Sequence, residues 1–321
     1  MKTTTGSFFL AAVASLVATA AHAEDFKLGG DIRYRHENVG SEGSAVSSYD
    51  KDRLRFRLGA KAQVDDEVGV EARLSTAPGR TSTNQDLGTS ANANANYSIT
   101  LDRAAFNWML MSGLNLKGGR IANPMYAAAD ADMVFDTDVN FDALALTYST
   151  KMGSSEIFVN LMDSILDKNT TAYKSDVHQY TAQIGGKIAM DEQTLGVAVA
   201  MHDFQNLQSH TILGSSATNT TYASAGTRYT YGYKPMVVDV AFTTPVAGKP
   251  LVASVEYVRN TNSDVTDDKD GYMVGVKYGS LKEKGDYALS YDYRVIKKDA
   301  TVSVFTDGDS FGGGTNGNSR R

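Results

Sequence analysis

The sequence predicts an all-β protein, an antiparallel up-and-down sheet that forms a transmembrane β-barrel. Three observations carry this prediction. Apolar and polar residues alternate with a period of two through about thirteen runs of the chain. The links between successive runs alternate between short and long, and an export signal precedes the first run.

Composition excludes several other classes of protein. The 321-residue chain has 31 Lys and Arg against 37 Asp and Glu, and this acidic balance argues against a nucleic-acid-binding protein. The absence of cysteine excludes disulfides, thiolate nucleophiles and cysteine-ligated metals. Apolar residues make up 42% of the chain, too many for a disordered protein. Only the N-terminus approaches the apolar length of a membrane helix, which excludes a helical membrane protein.

The N-terminal residues have the organisation of a signal peptide. Lys2 forms a short basic region, residues 8–21 are apolar but too few to span a bilayer, and residues 21–23 form a small-x-small cleavage site. We therefore assign residues 1–23 to export and residues 24–321 to the barrel.

Alternation is the main signal for strands, because successive side chains on a strand point to opposite faces. Clear examples of such runs lie at residues 26–35, 54–64, 68–75, 178–188, 195–201, 272–278 and 287–293. Residues 99–110 change parity near Arg103, which predicts a β-bulge or a displaced strand boundary.

The links between the runs distinguish a barrel from other all-β folds. Short links lie at residues 65–67, 112–113, 151–155, 191–193, 245–249 and 280–286. Long links, rich in Ser, Thr, Asn, Gly and Asp, lie at residues 37–52, 76–98, 122–140, 163–176, 203–224 and 260–270. One rim of tight turns and one rim of loops is the anatomy of an outer-membrane barrel. The 17 tyrosines recur at strand ends, as an interfacial aromatic girdle requires. A secreted β-sandwich is the alternative.

Several stretches resemble the putative porin family of Gram-negative outer membranes. They are residues 50–59 (DKDRLRFRLG), 82–85 (STNQ), 99–104 (ITLDRA), and, most specifically, 119–124 (GRIANP) continued by 132–138 (DMVFDTD). The resemblance runs from about Asp25 to the end of the chain. It implies a general-porin-like barrel in the cell outer membrane, with a water-filled channel for passive diffusion of small hydrophilic solutes and ions. By analogy with general porins of this size, it also suggests a homotrimer.

The C-terminal stretch, residues 312–321, has the composition of a loop. Single-chain outer-membrane barrels have an even number of strands, and the chains of family members usually end on a strand. We therefore expect this sequence to be C-terminally truncated, from a full barrel of roughly 14 to 16 strands.

Charged residues are the candidate pore residues. The polar face of the first three runs carries a basic set: Arg33, Arg35, Arg53, Arg55, Arg57, Lys61 and Arg73. Such side chains would cost roughly 2–4 kcal/mol each at the lipid midplane, so we expect them to line the interior. In general porins the third outer loop folds into the lumen, and here that link carries Asp130, Asp132, Asp136 and Asp138.

We expect these acidic and basic residues to face each other across a constriction and to set a transverse field. The alternative is that the loop stays outside, as a solvated acidic tip, while the arginines pair with Asp31, Glu71 and Asp102.

Two other functions stay open, a plugged structural or adhesive barrel and a barrel-embedded enzyme. Residues 308–312 (GDSFG) have the spacing of a nucleophile elbow, but that motif needs a following helix and an α/β sheet. We therefore predict no enzyme activity, no catalytic residue, no cofactor and no metal site. Conductance in a planar bilayer separates a porin from the other two functions.

Overall fold

The computed structural model describes residues 25–40, 48–76, 79–89, 96–168, 175–214, 217–223, 227–310 and 312–321. The predicted signal peptide lies outside the described residues. The strands are β1 (Asp25–Gly40), β2 (Ser48–Gln63), β3 (Val68–Ser75), β4 (Gln85–Asp86), β5 (Thr100–Met111), β6 (Leu114–Ala122), β7 (Asn140–Met152), β8 (Ser155–Asp167), β9 (Val177–Met190), β10 (Gln193–Gln205), β11 (Thr221–Ala223), β12 (Thr227–Tyr229), β13 (Pro235–Val246), β14 (Lys249–Asn260), β15 (Asp270–Gly279), β16 (Ala288–Ile296) and β17 (Gly317–Arg320). Two single-turn 3-10 helices lie at Ala128–Asp130 and Ser303–Phe305.

One antiparallel meander dominates the molecule. The main sheet has 15 strands, in the order β1-β2-β3-β5-β6-β7-β8-β9-β10-β13-β14-β15-β16-β17, with β4 paired to β2 beside this path. The path follows chain order and leaves out β4 and the separate hairpin β11–β12, so the up-and-down all-β prediction is confirmed. Within the described part of the chain, no ladder joins β1 to β17.

The predicted alternation of short and long connections is also confirmed. Two residues separate the strands at the turns 112–113, 153–154, 191–192 and 247–248. At the β2–β3 turn the Asp65 carboxylate accepts the backbone N–H groups of Glu67 and Val68, at 2.8 and 2.7 Å. The long connection after β10 extends to Lys234, further than predicted, because it contains the separate hairpin β11–β12.

The parity change near Arg103 is a β-bulge, as predicted. Arg73 pairs with Arg103 across β3 and β5, but the next pair is Leu74 with Leu101, so Asp102 is an extra residue. The bulge turns the Asp102 carboxylate toward Arg73 and Asn140, both of which donate hydrogen bonds to it.

The prediction that residues 312–321 form a loop is wrong for their second half. Residues 317–320 form β17, which pairs with β16 from Ile296↔Gly317 to Tyr293↔Arg320. The stretch has no alternation of apolar residues, so its composition resembles a loop. Backbone pairing with β16 places it in the sheet.

The outward face of the meander is apolar. Leu28, Ile32 and Leu289 are exposed at 68%, 74% and 68%. An apolar surface of this extent suits contact with lipid rather than water. Among the described residues, no helix has the length and hydropathy needed to cross a membrane.

The buried apolar cluster lies inside the curved sheet and combines side chains of the strands with side chains of several connections. Met133, Val134 and Phe135 come from the connection between β6 and β7, and Val302 and Phe305 from the one after β16. The ring centroids of Phe135 and Phe305 are 5.9 Å apart. The two connections therefore pack against each other within the interior.

Candidate pore constriction

The predicted basic residues of β1 to β3 form a row on the inner face, which we call the basic ladder. Its members are Arg33, Arg35, Arg53, Arg55, Arg57, Lys61 and Arg73. Along β1, half-buried residues alternate with exposed ones, and Arg33 and Arg35 are among the half-buried set. The register places Arg33 directly opposite Arg55 and Arg35 directly opposite Arg53. Like charges directly opposite each other destabilise a strand pair, so this arrangement needs carboxylates nearby.

Acidic residues of the neighbouring strands neutralise one part of the ladder. We call this part, Arg55, Arg57, Lys61 and Arg73, its lower part. Arg55 and Arg57 donate to the two carboxylate oxygens of Asp31, at 2.8 and 2.7 Å. Arg73 pairs with the bulged Asp102. Lys61 pairs with Glu71 at 3.4 Å, although the Lys61 side chain stays 74% exposed. These are the pairs that the alternative sequence interpretation expected.

The upper part of the ladder consists of Arg33, Arg35 and Arg53. Two of these residues, Arg35 and Arg53, contact a carboxylate from a distant part of the chain. Arg53 Nη1 lies 2.5 Å from Asp309 Oδ1, and Arg35 Nη2 lies 2.9 Å from Asp309 Oδ2. Arg53 also pairs with Asp86 at 2.8 Å, and Arg35 also pairs with Glu37. Asp309 follows β16, so these contacts bring the two ends of the sheet together.

Arg33 differs from the ladder residues described above, because its partner is an amide and not a carboxylate. It donates to the Asn84 amide oxygen at 2.5 Å, and its buried Nε has no hydrogen-bond partner. Within the described ranges, no carboxylate forms an ion pair with Arg33.

The connection between β6 and β7, residues 122–140, folds into the interior and reaches the opposite wall. The backbone N–H of Tyr126 donates to Gln183 on β9 at 2.8 Å. The N–H of Ala128 donates to Asp239 on β13 at 3.1 Å, and that of Met133 to Glu256 on β14 at 3.3 Å. We call residues 122–140 the inner loop.

The acidic residues of the inner loop are placed in different surroundings. Asp132 pairs with Arg294 of β16 at 2.8 Å. Asp138 accepts the N–H and hydroxyl of Thr83, both at 3.0 Å, and lies 3.7 Å from Arg57. The Asp130 side chain lies outside the described part of the structure.

Asp136 has no ion-pair partner among the described residues. Its carboxylate accepts the backbone N–H of Asp138 at 2.7 Å and of Gly308 at 3.1 Å. Its pKa is raised to about 8, mainly by burial; the nearby Asp307 and Asp138 also raise it, whereas the two hydrogen bonds lower it.

The structure therefore brings only part of the predicted set together. Of the described acidic residues in the inner loop, Asp138 alone reaches the predicted basic ladder. Asp132 instead meets Arg294, which the sequence analysis did not single out. Period-two alternation places Arg294 on the inner face of β16, between the outward residues Tyr293 and Val295. This pattern could have indicated Arg294 as an interior residue. No local pattern marks Asp309.

Open space remains beside the ladder. A cavity of about 340 Å³ is lined by charged residues that include Asp31, Arg57, Arg73 and Arg103. A second cavity of about 430 Å³ adjoins it and shares Lys27, Lys61 and Glu71 with it. Both are lined in part by residues of β1 to β3.

An antiparallel meander with an apolar outside, a charged inside and an inward-folded loop defines the class of outer-membrane pore proteins. Within that class, residues 43–238 match the family described as "Putative porin", and the chain belongs to this family. It is an outer-membrane porin. No curated protein sequence matches the chain.

Two solved porin structures share the fold. OmpF of Salmonella typhi, solved in complex with daunomycin, has a TM-score of 0.53 at 10% identity, with 94% of this chain and 97% of that chain covered. OprB of Pseudomonas putida, in its high-pH structure, has a TM-score of 0.53 at 10% identity, with 91% of this chain and 79% of that chain covered. At these identities the likeness concerns the fold alone.

Proposed function

We propose that this porin is a water-filled channel for small hydrophilic solutes and ions, narrowed where the inner loop passes the basic ladder. The observation that carries the proposal is the anchoring of the inner loop to Gln183, Asp239 and Glu256, on the wall opposite the ladder. Asp138 and Arg57 then mark where loop and ladder come closest. A charged constriction of this kind favours polar solutes over apolar ones.

We further propose a preference for anions. Arg103 lines the 340 Å³ cavity and donates to the Asn140 amide oxygen, with no carboxylate in ion-pair contact among the described residues. Like Arg33, it contributes a positive charge that the wall does not neutralise. Replacing Arg103 by Gln should reduce the permeability ratio of chloride to potassium. The same change at Arg259, an exposed residue of β14 paired with Asp270, is the matched control.

The experiment that tests the channel is single-channel recording in a planar bilayer. The folded protein, identified by its altered gel mobility before and after heating, should give stepwise conductance. The same preparation after heat denaturation should give none. A folded protein that inserts and never conducts would contradict the channel.

A plugged structural barrel is the second candidate, and one observation favours it. The two inward connections place buried apolar side chains in the interior, among them Phe135, Val302 and Phe305. The recording separates the two candidates, because a plug that stays in place gives no steps.

Export and assembly complete the proposal. Residues 1–23 would direct secretion, and residues 24–321 would form the barrel. The protomer would assemble as a homotrimer in the outer membrane, which rests on analogy with general porins of this size. Cross-linking in outer-membrane vesicles should then give dimer and trimer bands, and a monomer band alone would contradict the trimer.

A further inference from the structure

Asp309 is held between two arginines of the ladder as a bound anion would be. Each of its carboxylate oxygens lies against a different guanidinium, at 2.5 Å from Arg53 and 2.9 Å from Arg35. Burial would raise the pKa of the Asp309 carboxyl, but Arg35 and Arg53 outweigh burial and hold that pKa below its ordinary value. The group is therefore a carboxylate that two cations bind by charge-assisted hydrogen bonds.

The segment that presents Asp309 is not part of the wall. Residues 297–310 follow β16 and fold inward, where the N–H of Gly308 donates to Asp136 of the inner loop at 3.1 Å. The N–H of Asp309 donates to Asp307 at 2.9 Å, which shapes the turn at its tip. The ladder residues are fixed by strand pairing, whereas Asp309 reaches them from a connection.

With Asp309 displaced, the upper part of the ladder has the capacity for one anion. Arg35 and Arg53 both pair with Asp309 there, and Arg33 interacts electrostatically with Arg35 and Asp309. Glu37, Asp86 and Asp309 are the carboxylates that pair with Arg35 and Arg53. Removal of Asp309 leaves this set one negative charge short. Arg33, with its unpartnered buried Nε, already lacks a carboxylate.

We propose that Arg33, Arg35 and Arg53 form a carboxylate-binding subsite, occupied in this structure by the chain's own Asp309, which a solute carboxylate displaces. Exchange of one carboxylate for another conserves the charge-assisted hydrogen bonds, so it costs little, whereas a neutral solute cannot replace them. The solute class is therefore small carboxylates. This inference rests on the proposed channel for its role in transport, but binding at the subsite can be measured without conductance.

Succinate and its neutral diamide, succinamide, are suitable probes, used with the full chain folded in detergent. Asp309→Asn removes the internal competitor and keeps the shape of the side chain. Asp267→Asn is the matched control, because Asp267 is exposed in the β14–β15 loop and, among the described residues, its carboxylate accepts a hydrogen bond only from the Thr266 hydroxyl, at 3.0 Å. Binding is measured by titration calorimetry, and interruption of single-channel current by the same probes gives a second readout.

Asp309→Asn should bind succinate about tenfold more tightly than the wild type, because a tethered competitor acts at millimolar effective concentration or above. Asp267→Asn should bind like the wild type, and succinamide should bind to none of the proteins. Equal succinate affinity of Asp309→Asn and Asp267→Asn would overturn the inference, whether or not the protein conducts. Absence of conductance in every variant, with the difference in affinity intact, would overturn the channel and leave the subsite standing.

A second variant covers the case in which Asp309→Asn does not fold. Arg33→Gln leaves the Asp309 ion pairs in place and should lower the affinity for succinate about tenfold, the loss of one charge-assisted hydrogen bond. Arg259→Gln, on the exposed side of β14, should leave that affinity unchanged. Unaltered binding in Arg33→Gln would remove Arg33 from the subsite and contradict the proposal.

Discussion

Asp239 and Glu256 lie directly opposite each other on β13 and β14, and each carboxylate accepts a backbone N–H of the inner loop. Both side chains are buried, and neither forms an ion pair with another described residue. Two carboxylates so placed destabilise each other unless hydrogen bonds compensate. The pair therefore serves the loop, whose N–H groups at Ala128 and Met133 would otherwise be buried without acceptors.

Glu256→Ala should loosen the inner loop. The Met133 N–H would lose its acceptor, and an unsatisfied buried donor costs about 1–3 kcal/mol. Single-channel recording should show larger and noisier steps, and the temperature of unfolding should fall. Glu256→Gln is the control, since its amide oxygen still accepts the N–H and its behaviour should stay close to wild type. Equal noise in the two variants would contradict the anchoring role.

Arg294 is the second position where a single change should be severe. Its guanidinium is 1% exposed and pairs with Asp132 at 2.8 Å, Asp292 at 3.0 Å and Asp307 at 3.1 Å. Arg294→Met would leave these three carboxylates to Arg321, which pairs with each of them, and should cost about 1–3 kcal/mol. Arg294→Lys keeps the charge and should cost less.

Urea unfolding measures this difference, followed by the fluorescence of Trp108, the single tryptophan of the chain. Methionine and lysine variants of equal stability would show that charge compensation by Arg294 is unimportant.

Most of the fold was predictable from local pattern. Most strands of the meander have period-two alternation, because one face meets an apolar medium and the other faces the interior. The Arg103 bulge was visible for the same reason, as a break in parity. β17 could not be predicted in this way, since Gly317, Asn318 and Ser319 carry no apolar face and the strand is defined by its pairing with β16.

The candidate site was less predictable, because its contacts link residues far apart in sequence. The basic ladder lies on strands and follows from alternation. Asp309, by contrast, contacts Arg35 across 274 positions of sequence and belongs to an irregular segment. Asp132 was expected to face the ladder, but the loop's anchoring at Met133 turns it toward Arg294 instead.

The orientation of the barrel in the membrane is testable, because the chain has no cysteine of its own. Asp66 lies in the short β2–β3 turn and Asp267 in the longer β14–β15 connection, and both are exposed. Short turns face the periplasm in outer-membrane barrels. On intact cells an impermeant thiol reagent should label Asp267→Cys, and it should label Asp66→Cys only after the outer membrane is permeabilised. The reverse pattern would invert the topology.

The inner loop should make the stability of the protein depend on pH. Asp136, which burial brings to a pKa of about 8, has an ordinary value of 3.8. Between these values the folded protein holds a proton that the unfolded chain releases, so the free energy of unfolding falls as pH rises from about 4 to about 8. The contribution of this group is complete below the unfolded pKa and is lost above the folded one.

Asp136→Asn should reduce this slope, because asparagine does not titrate. The residual slope would come from other acidic groups of the cluster, among them Asp132, whose pKa is also raised, first by burial and then by Asp307. Unfolding in urea at several values between pH 4.5 and 8.5 measures the slope. Asp264→Asn, in the exposed β14–β15 connection, should leave it unchanged. If the Asp136→Asn slope equals that of the wild type, the Asp136 carboxyl is not the group that takes up the proton on folding.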